Sequence, residues 1–301
     1  MSGNRVIIGL PVYNAQKHIV AAIESHLSQS FADFELLIAD NCSTDATLEI
    51  SADYARRDKR IKVLTSERNR GNRWNHLRLI EAISNPQQYF RWAGGDDIMG
   101  PGLLQAMVDV LDSRPEVSAV MPDTKNIDDQ GDPIGSMPRV LDLQSPDVFK
   151  RAHDILMASY QHVIAYGLIR ASVLQSMRTR PAYPHWDPVF ALELALRGQV
   201  VQPEGAFLLR RFHPGSISLV KNVKELRRWV EPEAKAGMNF PNWKVAYERV
   251  RVLMASPMCV RDRMRIGLFL ARATTWQRTA LTRDVVQAGR RALRLSDEYT
   301  F

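Results

Sequence analysis

Five short apolar runs, each followed by an amphipathic or turn-rich stretch, fill the first 121 residues. This alternation narrows the fold more than any other feature of the chain. The runs are "RVIIGLPVY", "FELLIAD", "RIKVLTS", "QYFRWA" and "EVSAVM". Each is of strand length and is bounded by turn-forming residues. Between them, "AQKHIVAAIESHLSQ" sets Ile19, Ala22, Ile23, His26 and Leu27 at helical spacing, and "NRWNHLRLIEAIS" predicts a further helix. "DATLEISADYARR" reads as a helix capped by Ser43 or Thr44, and "PGLLQAMVDVLDS" as one with Pro101 in its first turn. Strand–helix units at this spacing build a parallel sheet with helices on its faces. Past Met121 the pattern loosens. "PDTKNIDDQGDPIGSMPRVLDLQSPD" predicts long loops with short strands. A strand and helix in "HVIAYGLIRASVLQSM", a helix in "DPVFALELALRG" and a closing strand in "GAFLLRRFHPGSIS" follow.

The 301 residues, 45% of them apolar, suffice for one large domain with an appendage, and charge divides them unevenly. Residues 221–301 hold 17 Lys/Arg against 8 Asp/Glu, a net of +9, whereas residues 1–219 hold 23 against 25, a net of −2. A near-neutral body over 1–219 and a basic helical region over 220–301 are therefore expected. Cys42 and Cys259 are the only cysteines and stand far apart in sequence, which suggests neither a disulfide framework nor a thiolate metal site. No run approaches the roughly eighteen apolar residues of a membrane span, and "MSGNRVIIGL" lacks a signal-peptide layout, so a cytoplasmic location is expected.

In open α/β sheets, ligands bind beyond the carboxyl ends of the strands. Pro11, Val12, Tyr13 and Asn14 follow the first strand, and Asp40, Asn41, Cys42, Ser43, Thr44 and Asp45 the second. Asn69, Arg70 and Gly71 follow the third, and Gly94, Gly95, Asp96 and Asp97 the fourth. Each of these has an ordinary explanation as a turn or cap residue. Four such ends on one sheet edge, with an acidic pair among them, indicate a site. Adjacent carboxylates repel, and a hard divalent cation shared with substrate phosphates, Mn²⁺ or Mg²⁺, offsets that repulsion. Neither G-x-G-x-x-G nor G-x-x-x-x-G-K-[ST] follows the first strand, which weighs against hydride transfer and P-loop chemistry.

The ordered set "PVYN", "ELLIADNCSTD", "NRG", "GGDDIM", "WDPVFALELALRG" and "RRFHPGSIS" resembles the inverting family 2 glycosyltransferases of the GT-A fold, over residues 6–218. The resemblance implies a Rossmann-like, mostly parallel sheet flanked by helices, followed by a helical C-terminal extension. It implies a nucleotide half over about 1–121 and an acceptor half over about 122–219. Pro11, Tyr13 and Asn14 then match the loop that packs on the nucleotide base. Asp40 and Asn41 match an acidic pair that accepts hydrogen bonds from the base edge. Asn41 departs from the usual Asp, and Cys42 from the usual Gly, although an Asn carbonyl still accepts from a pyrimidine imide. Asn69 and Gly71 complete the nucleotide set. Asp96 and Asp97 match the end of a D-x-D-type motif whose leading position is here Gly94. Asp97 is expected to contact the metal directly, with Asp96 nearer the ribose or behind the ligand shell, and His213 completes the metal or diphosphate site. Arg73 and Arg211 are candidates for the diphosphate, as are Arg68 and Arg70. Asp187 matches the catalytic base, with Trp186 where Glu is frequent. A carboxylate opening a helix also makes a good N-cap, which is the rival reading of Asp187. Glu193 is expected to be solvated or structural.

The basic region contains "RDRMRIGLFLARATTWQRTALTRDVVQAGRRALR", amphipathic with Ile266, Phe269, Leu270 and Trp276 against many arginines. Such a helix either packs its apolar stripe on the body or lies on an anionic membrane. Nothing in it resembles a nucleic-acid motif. The reading as a whole is a metal-dependent, inverting transfer of sugar from a UDP- or dTDP-sugar to a glycan or lipid-linked acceptor in polysaccharide or cell-envelope synthesis. The place is the cytoplasm or the inner face of a membrane. The rivals are a catalytically silent nucleotide-sugar-binding module, favoured by the missing acid at Gly94, and a nucleotidyltransferase, for which "PVYNAQKH" is a poor triphosphate loop.

Overall fold

The computed structural model describes residues 4–136, 143–157, 162–180, 186–205, 207–216, 229–230, 232 and 240–292. Its central sheet has seven strands in the order β10-β6-β9-β4-β1-β2-β3. β1 (Val6–Val12), β2 (Phe34–Asp40), β3 (Ile61–Leu64) and β4 (Tyr89–Trp92) run parallel, and β6 (Val117–Val120) and β10 (Gln199–Val201) pair parallel to each other. The one reversed strand is β9 (Leu168–Arg170), wedged antiparallel between β4 and β6. A second sheet, β5-β11-β7-β8, joins β5 (Ile98–Met99), β7 (Asp123–Ile127), β8 (Pro133–Ser136) and β11 (Phe207–Arg211). It carries the chain leaving the acidic pair to the segment that holds His213.

Helices α1 (Ile19–Leu27), α2 (Thr47–Arg57), α3 (Gly71–Glu81), α4 (Leu103–Ser113), α5 (Val148–Met157), α6 (Ala171–Ser176) and α7 (Asp187–Arg197) cover the central sheet. The strands are largely apolar because two cores bury them: Ile8, Leu10, Ile38 and Leu104 in one, Ile7, Phe90, Trp92 and Phe190 in the other. Pro11 is tolerated inside β1 for a geometric reason. Gly9 turns its carbonyl to β4, accepting from Ala93 N–H at 2.9 Å, and Pro11, two residues on, faces the same way beyond the paired part of β4.

Two local expectations are corrected. α2 is fastened not by Ser43 or Thr44 but by Asp45, whose Oδ1 accepts from Thr47 N–H at 3.0 Å. Pro101 precedes α4, which starts at Leu103 after Gly102 in a left-handed conformation (φ 70°). Over 240–292 the basic region forms three helices joined by short turns: α8 (Pro241–Ala255), α9 (Val260–Trp276) and α10 (Arg278–Ala292). Residues 217–228 and 233–239 lie outside the described residues. α8 packs on α7 and α9 on α5. Ile266 and Leu270 are buried there, and Phe269 meets Phe149 edge-on with ring centroids 6.0 Å apart.

Candidate active site

The loops after β1, β2 and β3 are sewn together by side chains. Asn41 N–H donates to Val12 O at 3.0 Å. Its amide donates to Asn69 Oδ1 (2.9 Å) and its carbonyl accepts from Arg70 N–H (3.0 Å). Asn69 Oδ1 also accepts from Gly71 N–H at 2.8 Å. Asn14 is tied across to Thr44, whose N–H it accepts at 2.8 Å. Asn41, Asn69 and Asn14 therefore shape the loops with the same polar atoms that were expected to face a nucleotide. Tyr13 is exposed at the rim, and Pro11 is half-buried beneath it. Cys42 has φ 64°, the left-handed region that favours glycine, which accounts physically for the Gly otherwise expected there.

Asp40 differs from its neighbours. Its Oδ2 accepts from Ser43 N–H at 3.1 Å, while Oδ1 is buried and has no hydrogen-bond partner among the described residues. A carboxylate oxygen left so costs on the order of 1–3 kcal/mol or more. Beneath it lies a residue that the sequence pattern did not single out. Arg78 donates to Asp40 O (2.8 Å), Leu64 O (3.1 Å) and Thr65 O (2.9 Å), clamping the ends of β2 and β3. Burial lowers its guanidinium to about 10. Trp74 is flanked by Arg78 and Arg70, at 4.4 and 4.8 Å from its ring centroid. Gly71 has φ 84°, and a Cβ there would stand 2.4 Å from Val230 O, so the close approach it permits is to the chain's own backbone. Arg73 is half-buried in the first turn of α3, and Arg68 is exposed.

The acidic pair divides into an inner and an outer member. Asp97, expected to meet a metal directly, is the inner one (6% exposed), and its Oδ1 accepts from Arg211 N–H at 3.0 Å. Burial, and then the Asp96 carboxylate, pushes Asp97 up to about 7, against the opposing influence of Arg211 N–H, Arg210 and Arg91. Asp96 is the outer one (32% of its side chain exposed), with Oδ2 3.1 Å from His213 Nε2. A Cβ at Gly94 would lie 2.6 Å from Asp97 Oδ2 and 2.9 Å from Asp96 Oδ1, so the pair itself fills the space of a leading acid. Arg211 is buried and braces this loop. Its Nε donates to Asp96 O (3.0 Å), and its Nη1 to the carbonyls of Asp128 and Asp129 (3.0 and 3.1 Å).

The brace brings in two more residues that sequence reasoning missed. Asp129, in the β7–β8 turn, has Oδ1 3.0 Å from His18 Nε2 and is also paired with Lys17. The rings of His18 and His213 stand 5.1 Å apart, and His18, Asp129 and His213 form a group able to hold a metal ion. His18 and Asp129, 111 residues apart, left no spacing signal. Donors of this kind, with Asp96 adjacent, fit a divalent cation.

Asp187 is the first residue of α7, followed by Pro188, and Trp186 occupies the N-cap position. Trp186 meets Trp92 and Phe190 edge-on at 5.9 and 5.1 Å, which ties the start of α7 to the strand that runs into the acidic loop. Glu193 is wholly buried. It accepts from the N–H groups of Arg178 and Thr179 at 2.8 Å each and pairs with Arg197, so it is structural.

The family profile described as Glycosyl transferase family 2 matches residues 7–168, which span β1 to β9 and carry the Asp40 and Asp96/Asp97 loops. The chain belongs to glycosyl transferase family 2. This family 2 transferase is 43% identical over 104 residues to the putative teichuronic acid biosynthesis glycosyltransferase TuaG of Bacillus subtilis, covering 35% of this chain and 40% of that one. It is 33% identical over 115 residues to the putative glycosyltransferase EpsE of Bacillus subtilis, covering 38% and 40%. Over 137 residues it is 29% identical to the chondroitin synthase of Escherichia coli, covering 44% and 19%. The matched region thus spans two fifths or less of these curated relatives. The structure of S. aureus TarS 1-349 in complex with UDP-GlcNAc superposes with a TM-score of 0.65 at 17% identity, covering 91% of this chain and 74% of that one. The fold is GT-A.

Proposed function

We propose that this transferase moves a sugar from a UDP-sugar, with a dTDP-sugar as the close alternative, to a growing glycan or lipid-linked acceptor of a cell-envelope polysaccharide. The observation that carries the reading is the single rim made by four strand ends, in which Asp40 keeps a buried oxygen for a ligand donor. A pyrimidine imide N–H supplies that donor, and Tyr13 offers its exposed ring to the base. Asn14, Asn41, Asn69 and Gly71 hold the rim in shape, and Arg73 is the candidate for the diphosphate. The named roles of TuaG, in teichuronic acid synthesis, and the UDP-GlcNAc bound to TarS favour this donor and acceptor class.

Asp187 is the base. It takes the proton of the acceptor hydroxyl as that oxygen bonds to the sugar C1, while the C1–O bond to the nucleotide diphosphate breaks on the opposite face and the configuration inverts. Asp96 and His213 would hold a divalent metal, with Asp97 and the Arg211 brace behind them, and such an ion neutralises the departing diphosphate. Arg211 acts by fixing the loop.

The basic helices supply a second contact. Tyr247 and Met254 on α8 and Val260, Met264 and Leu268 on α9 are exposed, Leu268 by 74%, beside Arg251, Arg261 and Arg272. Glu248 and Asp284 are buried and the half-buried Asp262 is paired with Arg265, so the outward charge is basic. No described helix is long and apolar enough to cross a membrane. This face suits the surface of an anionic membrane, where a lipid-linked acceptor resides. Calorimetry with UDP, dTDP, ADP and GDP, with and without Mn²⁺, followed by a sugar-release assay, tests the reading. Nucleotide binding without any release from a panel of UDP- and dTDP-sugars would favour the silent module instead.

A further inference from the structure

His18 and Asp129 are not among the residues that the family pattern points to, yet they complete a ring of metal-competent atoms at the edge of the site. His18 precedes α1, Asp129 sits in the β7–β8 turn and His213 follows β11, and one donor atom of each lies within 4.8 Å of the others. His18 Nε2 is 3.0 Å from Asp129 Oδ1, and His213 Nε2 is 3.1 Å from Asp96 Oδ2. Two donors bound at about 2.1 Å to one ion, at roughly a right angle, stand about 3.0 Å apart. The cluster is held before any ion arrives. Arg211 fixes the carbonyls of Asp128, Asp129 and Asp96 together, and Lys17 holds the second oxygen of Asp129. His18 is buried, and burial with the charges of Arg211 and His213 keeps its imidazole below the ordinary value, in the neutral form that ligates. His213 Nδ1 accepts from Gly215 N–H at 3.2 Å, so metal binding at Nε2 moves the ring proton to Nδ1 and releases an exposed N–H to water.

We infer that His18, Asp129 and His213 form a two-histidine, one-carboxylate site for a first-row transition ion, with Asp96 as a neighbouring donor, and that the protein takes Co²⁺, Zn²⁺ or Mn²⁺ in preference to Mg²⁺. Imidazole nitrogen suits the transition ions, whereas Mg²⁺ demands oxygen and gives up water reluctantly. The site deepens the proposed function by naming the ion and two of its ligands, but its existence is measurable without any donor sugar.

The rival is a latch in which His18 and Lys17 merely tie the β7–β8 turn to α1. Co²⁺ titration of the full chain without nucleotide, read by calorimetry and by visible absorption, separates the two. The variants are His18→Ala, His18→Gln and Asp129→Asn, with folding checked by circular dichroism. His18→Gln retains a side-chain donor toward Asp129 but is a poor ligand. One ion per chain is expected, displaced by Zn²⁺ but only weakly by Mg²⁺, with affinity lowered at least tenfold in all three variants and an altered Co²⁺ spectrum in His18→Gln. Wild-type binding and spectrum in a folded His18→Gln would overturn the assignment, as would displacement by Mg²⁺ as effective as by Zn²⁺. Sugar transfer with Mg²⁺ as the sole divalent ion would in that case continue, and the transferase reading would stand.

Discussion

Trp186 meets Trp92 edge-on, ring centroids 5.9 Å apart, and thereby ties the residue before Asp187 to the strand two residues short of Gly94. The start of α7 and the acidic loop are joined through this aromatic contact. Trp186→Ala is expected to cost about 2 kcal/mol of stability and to lower kcat at least tenfold, with the donor KM little changed. Trp186→Phe should recover most of both. Urea unfolding and steady-state kinetics check this, and equal kcat in the alanine variant would show that the contact does not position Asp187.

Asp40 offers the sharpest test of base recognition. Asp40→Ala removes the buried acceptor oxygen and should weaken UDP binding by roughly ten- to a hundredfold, in keeping with about 1.5–3 kcal/mol for a charged hydrogen bond. UDP should bind far more tightly than ADP or GDP in the wild type and lose that advantage in the variant. Calorimetry measures both, and purine nucleotides bound as tightly as UDP by the wild type would remove Asp40 as a pyrimidine reader.

The central strands were legible because a strand buried on both faces is largely apolar, as "VIIGL" in β1 is. The site's location followed from topology, since β1 to β4 deliver their ends to one edge. The antiparallel β9 was not legible in direction, because "LIR" carries no orientation. Arg91 escaped for a different reason: it is wholly buried in β4, where an apolar residue is the rule. Arg211 is a diphosphate candidate from sequence and Arg78 carries no signal there, and only the carbonyls they reach reveal both as clamps. His18 and Asp129 meet through tertiary folding alone.

His26 gives a pH dependence of stability. It is buried, with Nδ1 2.6 Å from Ala22 O, and burial, reinforced by the charge of Arg91, lowers it to about 4. The unfolded chain takes up this proton near pH 6.5, and the folded chain refuses it until about 4. Stability therefore falls as pH drops through that window, by about 1.4 kcal/mol per pH unit from this residue, and gains nothing from it above 6.5. Urea unfolding between pH 7.5 and 5 should show the slope shallower by about that amount in His26→Leu. Identical slopes would remove His26 as a source of acid sensitivity.

The outward face of α8 and α9 should bring the protein to vesicles containing anionic lipid, with binding that declines as salt rises because screening shortens the reach of its arginines. Replacing Met264 and Leu268 together by serine should reduce co-sedimentation without lowering the melting temperature, since both are exposed. Binding of the wild type that is indifferent to anionic lipid at low salt would contradict a membrane role.

The central claim is that Asp187 takes the acceptor's proton. Asp187→Asn keeps the shape at the first residue of α7 but cannot accept that proton. The expected result is a near-wild-type melting temperature, retained donor and metal binding, and transfer slowed by a factor of about 10² to 10⁴. Sugar transfer by Asp187→Asn at the wild-type rate would contradict it and move the base to another carboxylate.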